Sequence, residues 1–400
     1  GDLHTMMTTT RRSFFVPSLL LCCALGMATG CGKKNTKTDE QPVEQTDTTT
    51  TPEKSAAWQS APAYEDLQLS EAVPAIQELG ENQGTFAYKV GELLVVHKPT
   101  PANKIVSAQL YYIGGSQRLS PETTGIEQLA LKVAAQGGTQ STPRDAYNAK
   151  LDSMGASIGA FASRDDSGVA MKTILPYFND TWELFIQSIF EPAMPEDVIE
   201  LQRTQTLARI DSLFEDPDSQ VGFLATQSLF EGHPYANIQL GTKEVVSQVS
   251  REELRGWQRA LLQPKEMMLV VVGDVPKDDL LEKVQRSLGR LQQTREVLPA
   301  LPSLTSGEPD LVFARRDIAT NYVFGLFEAP ALGNPDFAPM LLAAEYLSDR
   351  LFEEVRTKRN LTYAVSSGIS GHRANYGYLY VTAVQPKETL QVIFDTVQEL

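Results

Sequence analysis

The sequence predicts an α+β protein that contains two related domains in tandem. Residues 85–115 hold three β-rich runs separated by turn residues, and helices and further strands follow them. This is the order expected of an antiparallel sheet flanked by helices. After a proline-rich stretch at residues 298–309, the same order of strands and helices begins again. A chain of 400 residues is long enough for two domains that each bury a core.

The first domain is predicted over residues 64–297, with a short exposed helix near residues 75–79 before the first strands. The remaining elements are helices at 125–135 and 143–154, strands at 157–165 and 167–175, helices at 177–190, 195–214, 218–229 and 250–262, a strand at 266–275 and a helix at 277–291. On the helix at 195–214, one apolar stripe is predicted to face the core: Leu201, Leu207, Ala208, Ile210, Leu213 and Phe214.

The second domain is predicted to begin at residue 310. Strands at 310–316 and 321–330 precede a helix at 336–358, and two more strands follow at 362–370 and 376–384. A domain of about 200 residues that begins here would extend past Leu400. We therefore expect the sequence to stop inside the second domain.

The charge balance argues against a nucleic-acid-binding protein. The formal net charge is -15 and the sequence pI is about 4.8, whereas binding through released counterions needs a basic surface. Beyond the amino-terminal region, no segment reaches the roughly 18 consecutive apolar residues of a membrane span.

Residues 1–31 are predicted to be a signal peptide with a lipobox. Two arginines at 11–12 precede a short apolar run, and the sequence Ala-Thr-Gly-Cys at 28–31 resembles the bacterial lipobox, in which the cysteine is lipidated. The position three before Cys31 is usually Leu and here is Ala28, so plain signal cleavage and an uncleaved anchor stay open. Cys22 and Cys23 lie in the apolar run, so no cysteine is left for a disulfide in the folded part.

Residues 32–63 are rich in Lys, Thr, Asp, Glu, Gln and Pro and contain few apolar side chains. Such a composition cannot bury enough surface to fold, and it predicts a disordered tether. With the lipobox, it predicts an exported bacterial lipoprotein on the periplasmic side of the outer membrane or on the cell surface.

The stretch GIEQLALKVAAQGGT, residues 125–139, follows a strand that ends in a Gly-Gly-Ser turn. This arrangement resembles the M16 zinc peptidases, the pitrilysin-like and mitochondrial processing peptidase-like family. Their first domain carries a Gly-x-x-His-x-x-Glu-His helix, in which the two His bind zinc and the Glu activates water. The resemblance places Gln128 and Lys132 at the two His positions and Leu131 at the Glu position. It also implies tandem M16-type domains.

The resemblance places the family's third zinc ligand, a Glu on a later helix, at Arg209. All four positions are thus replaced, and we predict that this chain binds no metal and needs no cofactor of its own. The four histidines are far apart in the sequence: His4, His97, His233 and His372. The sequence GHPYANIQLG around His233 matches a turn of the family, and we interpret this His as a structural one held by backbone groups. Gly159 replaces an Asn that lies beside the substrate in the family.

A second motif, LFEEVRTKRNLTYAVSSG, resembles the family's second-domain sequence with an Arg and a Tyr seven residues later. These are Arg356 and Tyr363. In the family the pair binds the substrate carbonyl and stabilises the tetrahedral intermediate, as fixed donors aimed at developing negative charge would. The structural explanation is that Arg356 complements a helix C-terminus and Tyr363 is an ordinary strand aromatic.

The resemblance implies the non-catalytic subunit of a two-chain bacterial peptidase, inactive by itself. Arg356 and Tyr363 would act in trans on a peptide held by a zinc-bearing M16 partner. The main alternative is a catalytically inactive scaffold or binding lipoprotein with the M16 fold, which has no need of the Arg/Tyr pair. A peptidase with a relocated metal is a third reading.

Overall fold

The computed structural model describes residues 20–24, 66–304 and 311–400, which form two compact units. The N-terminal unit comprises residues 66–220 and 230–302. The C-terminal unit comprises residues 20–24 and 221–229 and the described residues from 303 onward. Each unit is described below by itself.

One strand near the start of the chain, β1 (Leu20–Ala24), belongs to the C-terminal unit. The N-terminal unit contains seven strands: β2 (Ile76–Asn82), β3 (Thr85–Val90), β4 (Leu93–Lys98), β5 (Ile105–Ile113), β6 (Ser157–Ala162), β7 (Asp166–Ile174) and β8 (Met267–Val272). Its helices are α1 (Ile126–Gln136), α2 (Arg144–Ser153), α3 (Phe178–Phe190), α4 (Glu196–Glu215), α6 (Lys243–Gln248), α7 (Arg251–Ala260) and α8 (Lys277–Arg286). Residues 221–229 of α5 (Pro217–Leu229) group with the C-terminal unit.

The seven strands form one sheet in the order β2-β3-β4-β8-β5-β7-β6. Neighbours are antiparallel except β4 and β8, which are parallel. Strand β8 lies between β4 and β5, so that Leu269 is opposite Val95 on one side and Leu110 on the other. All three side chains are buried. Strand β6 ends the sheet and is an edge strand.

Helix α1 packs against β6 and β7 and also against α4 and α7. Its apolar residues Leu129, Leu131 and Val133 are at most 1% exposed and belong to the main core of the unit. Because neighbours cover this helix on several sides, even its polar positions lie in a partly desolvated setting. The helix at the centre of the sequence motif is therefore also central to the packing of this unit.

Two predictions for this unit are wrong. Residues 76–79 form part of β2, not a helix; β2 pairs with β3 although its side chains are exposed. On α4, Leu201 and Phe214 of the predicted core stripe are 40% and 45% exposed, and Ala208 is also exposed. The buried residues of α4 are Val198, Ile199, Gln202, Thr206 and Ile210. Two of these five are polar, because the buried face of α4 packs partly through hydrogen-bonded side chains such as Gln202.

The C-terminal unit contains a five-stranded sheet in the order β11-β12-β10-β1-β9. The remaining elements are β9 (Leu311–Phe313), β10 (Asn321–Glu328), α9 (Phe337–Leu351), a π-helical segment (Phe352–Thr357), β11 (Val365–Ile369), β12 (Tyr376–Ala383) and α10 (Pro386–Gln398). A smaller core joins α9, the π-helical segment, α10 and the sheet through Leu351, Val355, Val381 and Ile393. The sheet and helices confirm the predicted α+β class for this unit as well.

Strand β1 lies within the predicted signal peptide and pairs with β10 and β9. In a chain cleaved before Cys31 this strand would be absent. Cys31 itself and the predicted tether at 32–63 lie outside the described residues. Within the part of the chain that the structure describes, no helix is both long enough and apolar enough to cross a membrane.

Candidate functional sites: a replaced metal centre and an arginine–tyrosine pair

The start of α1 is fixed by a close backbone approach. Gly125 has a φ of 88°, and a Cβ atom at this position would lie 2.7 Å from the Cα of Gly241. Only glycine fits this conformation and this spacing. The hydroxyl of Thr124 donates a hydrogen bond of 2.6 Å to the carbonyl of Ile238, which holds the two segments together. The register of the α1 side chains is thereby set.

Gln128 and Lys132 lie one turn apart on α1, and both are partly buried. The Lys132 ammonium donates a hydrogen bond of 3.3 Å to Oε1 of Gln128. Burial lowers the pKa of Lys132, and the positive charge of Arg209 on α4 lowers it further. The resemblance places these three residues at the zinc-ligand positions; Gln128 and Lys132 are in contact, and the charge of Arg209 acts on Lys132 from α4.

A second contact shows how α1 and α4 align. The Gln202 amide donates a hydrogen bond of 3.0 Å to Oε1 of Gln136. Gly137, just after α1, lies against Pro195, just before α4, so the two helices are antiparallel where they meet. Lys132 is one turn back along α1 from Gln136, and Arg209 is two turns onward along α4 from Gln202, which places the two cations along the same stretch of the helix pair.

The residues present do not fit a zinc ion. A zinc ligand must offer a lone pair, from a His nitrogen, a Cys thiolate or a carboxylate. The Lys ammonium and the Arg guanidinium have only donors, and their positive charges would repel a divalent cation. The described residues also contain no group of three or more His, Cys, Asp or Glu that could hold a metal ion.

Leu131, which the resemblance places at the position of the catalytic Glu, is 1% exposed and packs in the core. An apolar side chain cannot exchange protons with water, and this one is directed into the packed interior. General-base catalysis from this position is therefore excluded.

The neighbouring Glu127 is the acidic residue of this helix that sequence reasoning passed over. Its carboxylate lies 3.5 Å from Nη1 of Arg118, and both side chains are fully buried. Nε1 of Trp257 donates to its Oε2 over 3.2 Å, and Nε2 of Gln239 donates to its Oε1 over 3.4 Å. Arg118 also donates to the carbonyl of Ile113 at the end of β5.

The network continues through Glu266, just before β8. Its carboxylate lies 3.9 Å from Nη2 of Arg118 and forms a bidentate pair with Arg295, with distances of 2.6 and 3.0 Å. The backbone N–H of Leu298 donates to the same carboxylate. Charges paired and hydrogen-bonded in this way can be buried together. The charges alternate in sign along a structural network that consists of Glu127, Arg118, Glu266 and Arg295. No spacing in the sequence would have revealed this network, because its members are up to 177 positions apart (295 − 118).

His233 is a structural residue, as interpreted from the sequence. Its Nδ1 accepts a hydrogen bond of 3.1 Å from the backbone N–H of Tyr235, and Nε2 lies 3.1 Å from the carbonyl of Pro302. Both ring nitrogens are thus used by backbone groups. Gly159 lies on the edge strand β6, and a Cβ atom there would meet nothing within 4 Å.

Arg356 and Tyr363 are brought together in the C-terminal unit. Arg356 lies in the π-helical segment, and its guanidinium carbon is 5.0 Å from the ring centre of Tyr363 and 4.8 Å from that of Phe352. The guanidinium therefore contacts two aromatic rings, an arrangement that restrains it through cation–π attraction. Phe352 is a residue of this site that the sequence reading did not single out.

Tyr363 precedes β11 and is 83% exposed. The structural explanation of this position requires a residue within a strand, and Tyr363 lies outside β11. Its phenol is directed into solvent beside the guanidinium. The exposed Tyr363 is thus available to a ligand, with the half-buried Arg356 beside it.

The acidic residues nearest to Arg356 in the sequence are engaged elsewhere. Glu354 pairs with Lys358 and Arg359, each over 2.7 Å, and hydrogen bonds from these two cations lower its pKa to about 2. Glu353 pairs with Lys358 and Arg350. Among the described residues, Arg356 forms no ion pair. Its N–H donors are thus not neutralised by the adjacent carboxylates.

Two family models match this chain. The model described as insulinase (peptidase family M16) matches residues 94–243, and the model described as peptidase M16 inactive domain matches residues 248–400. The chain belongs to the M16 peptidase family. The two M16 matches cover both units in tandem and include the α1 motif and the Arg356 motif.

Similar M16 proteins include enzymes and non-enzymes. An uncharacterized zinc protease of Mycobacterium leprae is 25% identical over 286 residues, which are 70% of this chain and 64% of that protein. A non-peptidase homolog of Helicobacter pylori is 22% identical over 261 residues, 64% of this chain and 60% of that protein. The chain thus spans less than two thirds of the length of these relatives.

The fold agrees with that of a solved M16 structure. The crystal structure of a peptidase M16 inactive domain from Pseudomonas fluorescens superposes with a TM-score of 0.71 at 18% identity. The match covers 79% of this chain and 78% of that one. This similarity shows the mixed α+β M16 fold.

Proposed function

We propose that this chain is the non-catalytic, substrate-binding subunit of a two-chain M16 zinc peptidase. It supplies Arg356 and Tyr363 to a peptide that a zinc-bearing M16 partner holds and cleaves. The chain itself binds no metal and is inactive alone. The observation that carries the proposal is the restrained Arg356 guanidinium beside the exposed Tyr363 phenol, with the neighbouring carboxylates already paired.

The chemistry of the pair suits this role. When a peptide bond is attacked, negative charge develops on its carbonyl oxygen, and preorganised donors stabilise that charge. A guanidinium offers several N–H donors in a fixed plane, and a phenol offers one O–H donor. Because the two rings restrain Arg356 before substrate arrives, less orientational freedom remains to be lost on binding.

The replaced metal site supports the division of labour. A chain with Lys132 and Arg209 at positions that the resemblance assigns to metal ligands cannot activate water through a metal by itself. A half-buried Arg356 beside an exposed Tyr363 has a use in such a chain when another subunit provides the metal. The match to the M16 inactive-domain model agrees with this arrangement.

The test is a reconstituted peptidase assay with the zinc-bearing M16 chain that copurifies with this protein. Arg356→Ala or Tyr363→Phe should lower kcat of the mixed complex by about 10²–10³, the usual effect of removing one such donor. The double variant should lose less than the product of the two single effects, because the groups act as a unit. Assembly, measured by size-exclusion chromatography, should hardly change.

Two control variants lie in the same unit. Tyr346→Phe removes the hydroxyl of another exposed tyrosine, and Lys387→Ala removes another exposed cation; both should leave kcat unchanged. A stable complex that keeps full activity with the double Arg356/Tyr363 variant would reject the proposed role. The M16 scaffold or binding lipoprotein would then be the better explanation, as it would if no zinc-bearing M16 chain copurifies.

We also propose that the chain is exported and held at a bacterial membrane surface by lipid on Cys31. The support is the sequence of residues 1–31 and the polar tether that follows. Cys31→Ala should release the protein into the soluble fraction or block its processing, as judged by fractionation and mass spectrometry. Unchanged membrane retention and unchanged mass in this variant would contradict lipidation.

A further inference from the structure

We propose that the replaced metal centre is a carboxylate-binding site, formed by Lys132 and Arg209, that selects peptides bearing a negative charge. The inference rests on the proposed function for its peptide ligand and adds the class of peptide. It uses residues of the N-terminal unit and is independent of Arg356 and Tyr363.

The proposed site carries two positive charges, one on Lys132 and one on Arg209. Among the described residues, neither Lys132 nor Arg209 forms an ion pair, although acidic residues outnumber basic ones by 50 to 35 in the whole chain. Lys132 is half-buried and its hydrogen-bond partner is the neutral amide of Gln128. Two cations that face each other without a counter-ion repel, and a bound carboxylate would relieve that repulsion while accepting hydrogen bonds from both.

The proposed site is accessible to a ligand from solvent. Arg209 is exposed, so the cation pair is open to solvent on the α4 side. Helix α1 lies against β6, the edge strand of the sheet, and the position of Gly159 on that strand has free space above it. An edge strand presents backbone N–H and C=O groups that an extended peptide can pair with. A peptide bound there would have its side chains and its terminus close to α1.

Three side chains of the proposed site carry hydrogen-bond donors. An ammonium, a guanidinium and the N–H₂ group of Gln128 can each donate to a carboxylate oxygen. The ammonium and the guanidinium offer no lone pair to a cation, and Oε1 of Gln128 already accepts from Lys132. The side chains at the positions of the zinc ligands thus suit an anion and not a cation. In the proposed site, the carboxylate of a peptide binds where a metal ion would bind in a zinc peptidase.

The experiment measures binding of labelled peptides to the purified chain by fluorescence anisotropy, without any partner. One neutral extended sequence is prepared in four forms: a free C-terminal carboxylate, a C-terminal amide, the amide with one internal Glu, and the amide with Gln at that position. We expect a carboxylate form to bind about 10-fold more tightly than its neutral match, as for a charge-assisted hydrogen bond. The two pairs distinguish a terminal carboxylate from a side-chain one.

Lys132→Gln and Arg209→Gln should each remove most of this preference while leaving the affinity for the neutral forms unchanged. Lys265→Gln, which removes an exposed cation elsewhere in the same unit, should keep the preference. Thermal unfolding gives a second measurement: without peptide, Lys132→Gln should raise Tm because it removes the repulsion from Arg209, and a carboxylate peptide should raise Tm of the parent more than that of the variant.

Equal affinity for charged and neutral peptides, or a carboxylate preference that survives both substitutions, would overturn the inference. Either result would leave the proposed role of Arg356 and Tyr363 intact, because that role is measured through kcat of the complex. Conversely, a carboxylate preference in a chain whose Arg356 and Tyr363 variants are fully active would support this site and reject the proposed function alone.

Discussion

Nη1 of Arg118 lies 3.5 Å from Oε1 of Glu127, and neither side chain is exposed to solvent. The pair connects the turn after β5 with the first turn of α1 and is continued by Glu266 and Arg295. Removing one member leaves a buried charge without its partner, which is costly, whereas replacing the pair with apolar residues can be tolerated. The network therefore anchors the first turn of α1, beside the apolar contacts that Ile126 and Leu129 make in the core.

Glu127→Ala should lower the free energy of unfolding by about 3–5 kcal/mol, because the Arg118 guanidinium then stays buried without the carboxylate of Glu127. Denaturant unfolding measures this change. The matched control is Glu92→Ala, which breaks an exposed pair with Lys89 and should cost less than about 1 kcal/mol. The double variant Arg118→Met/Glu127→Leu should be more stable than Glu127→Ala. Similar losses at Glu92 and Glu127 would contradict the structural role of the network.

Restoring the metal ligands should restore zinc binding. The variant Gln128→His/Lys132→His/Arg209→Glu supplies two His one turn apart and a carboxylate from α4, the three ligands that a zinc site needs. Metal analysis should find about one zinc per chain in this variant and none in the parent. With Arg209 retained, the two-His variant should bind far less, since it has two ligands and an adjacent cation. Zinc in the parent, or none in the triple variant, would show that these positions do not form the replaced centre.

Stability should depend on pH through His233 and His97. Burial lowers the pKa of both below the ordinary value of about 6.5. The unfolded chain therefore takes up protons near pH 6.5 that the folded chain does not, and stability falls as the pH decreases below that value. His233→Gln should reduce the loss of stability between pH 7.5 and pH 5.5 without abolishing it, since His97 remains. Denaturant unfolding at the two pH values tests this, and an unchanged difference would be evidence against the burial of His233.

Phe352 should act as a positioning residue for Arg356. Its ring lies 4.8 Å from the guanidinium, and a cation–π contact at a partly exposed site contributes about 0.5–1 kcal/mol. Phe352→Ala should therefore lower kcat of the mixed complex by about 2- to 5-fold, with KM less affected and the Tm of the chain nearly unchanged. Phe352→Trp should restore kcat, because it keeps an aromatic face. A Leu at 352 that restores kcat as well would show that the ring provides bulk and not cation–π attraction.

Local patterns in the sequence determined the elements and their order. The period of apolar residues gave α1, α7 and α8, and alternation gave the strands from Thr85 onward, because these periods depend on neighbours along the chain. The replaced ligand positions could also be read directly, since the two His positions lie one helical turn apart. The resemblance associates Gln128 and Lys132 with Arg209. In the structure Lys132 donates a hydrogen bond to Gln128, and the charge of Arg209 acts on Lys132.

Contacts between distant parts of the chain were decided by the tertiary structure. Strand β8 separates β4 from β5, and β2 pairs as a strand although its sequence lacks a buried face. The core face of α4 was predicted from apolar residues, but packing against α1 buries Gln202 and Thr206 and exposes Leu201. The periodicity of apolar residues cannot find such a face, because part of it consists of polar side chains, which can be buried when they have hydrogen-bond partners. The Glu127–Arg118 pair and the Phe352 contact with Arg356 depend on geometry in the same way: sequence supplied the charged and aromatic residues, and only folding selected their partners.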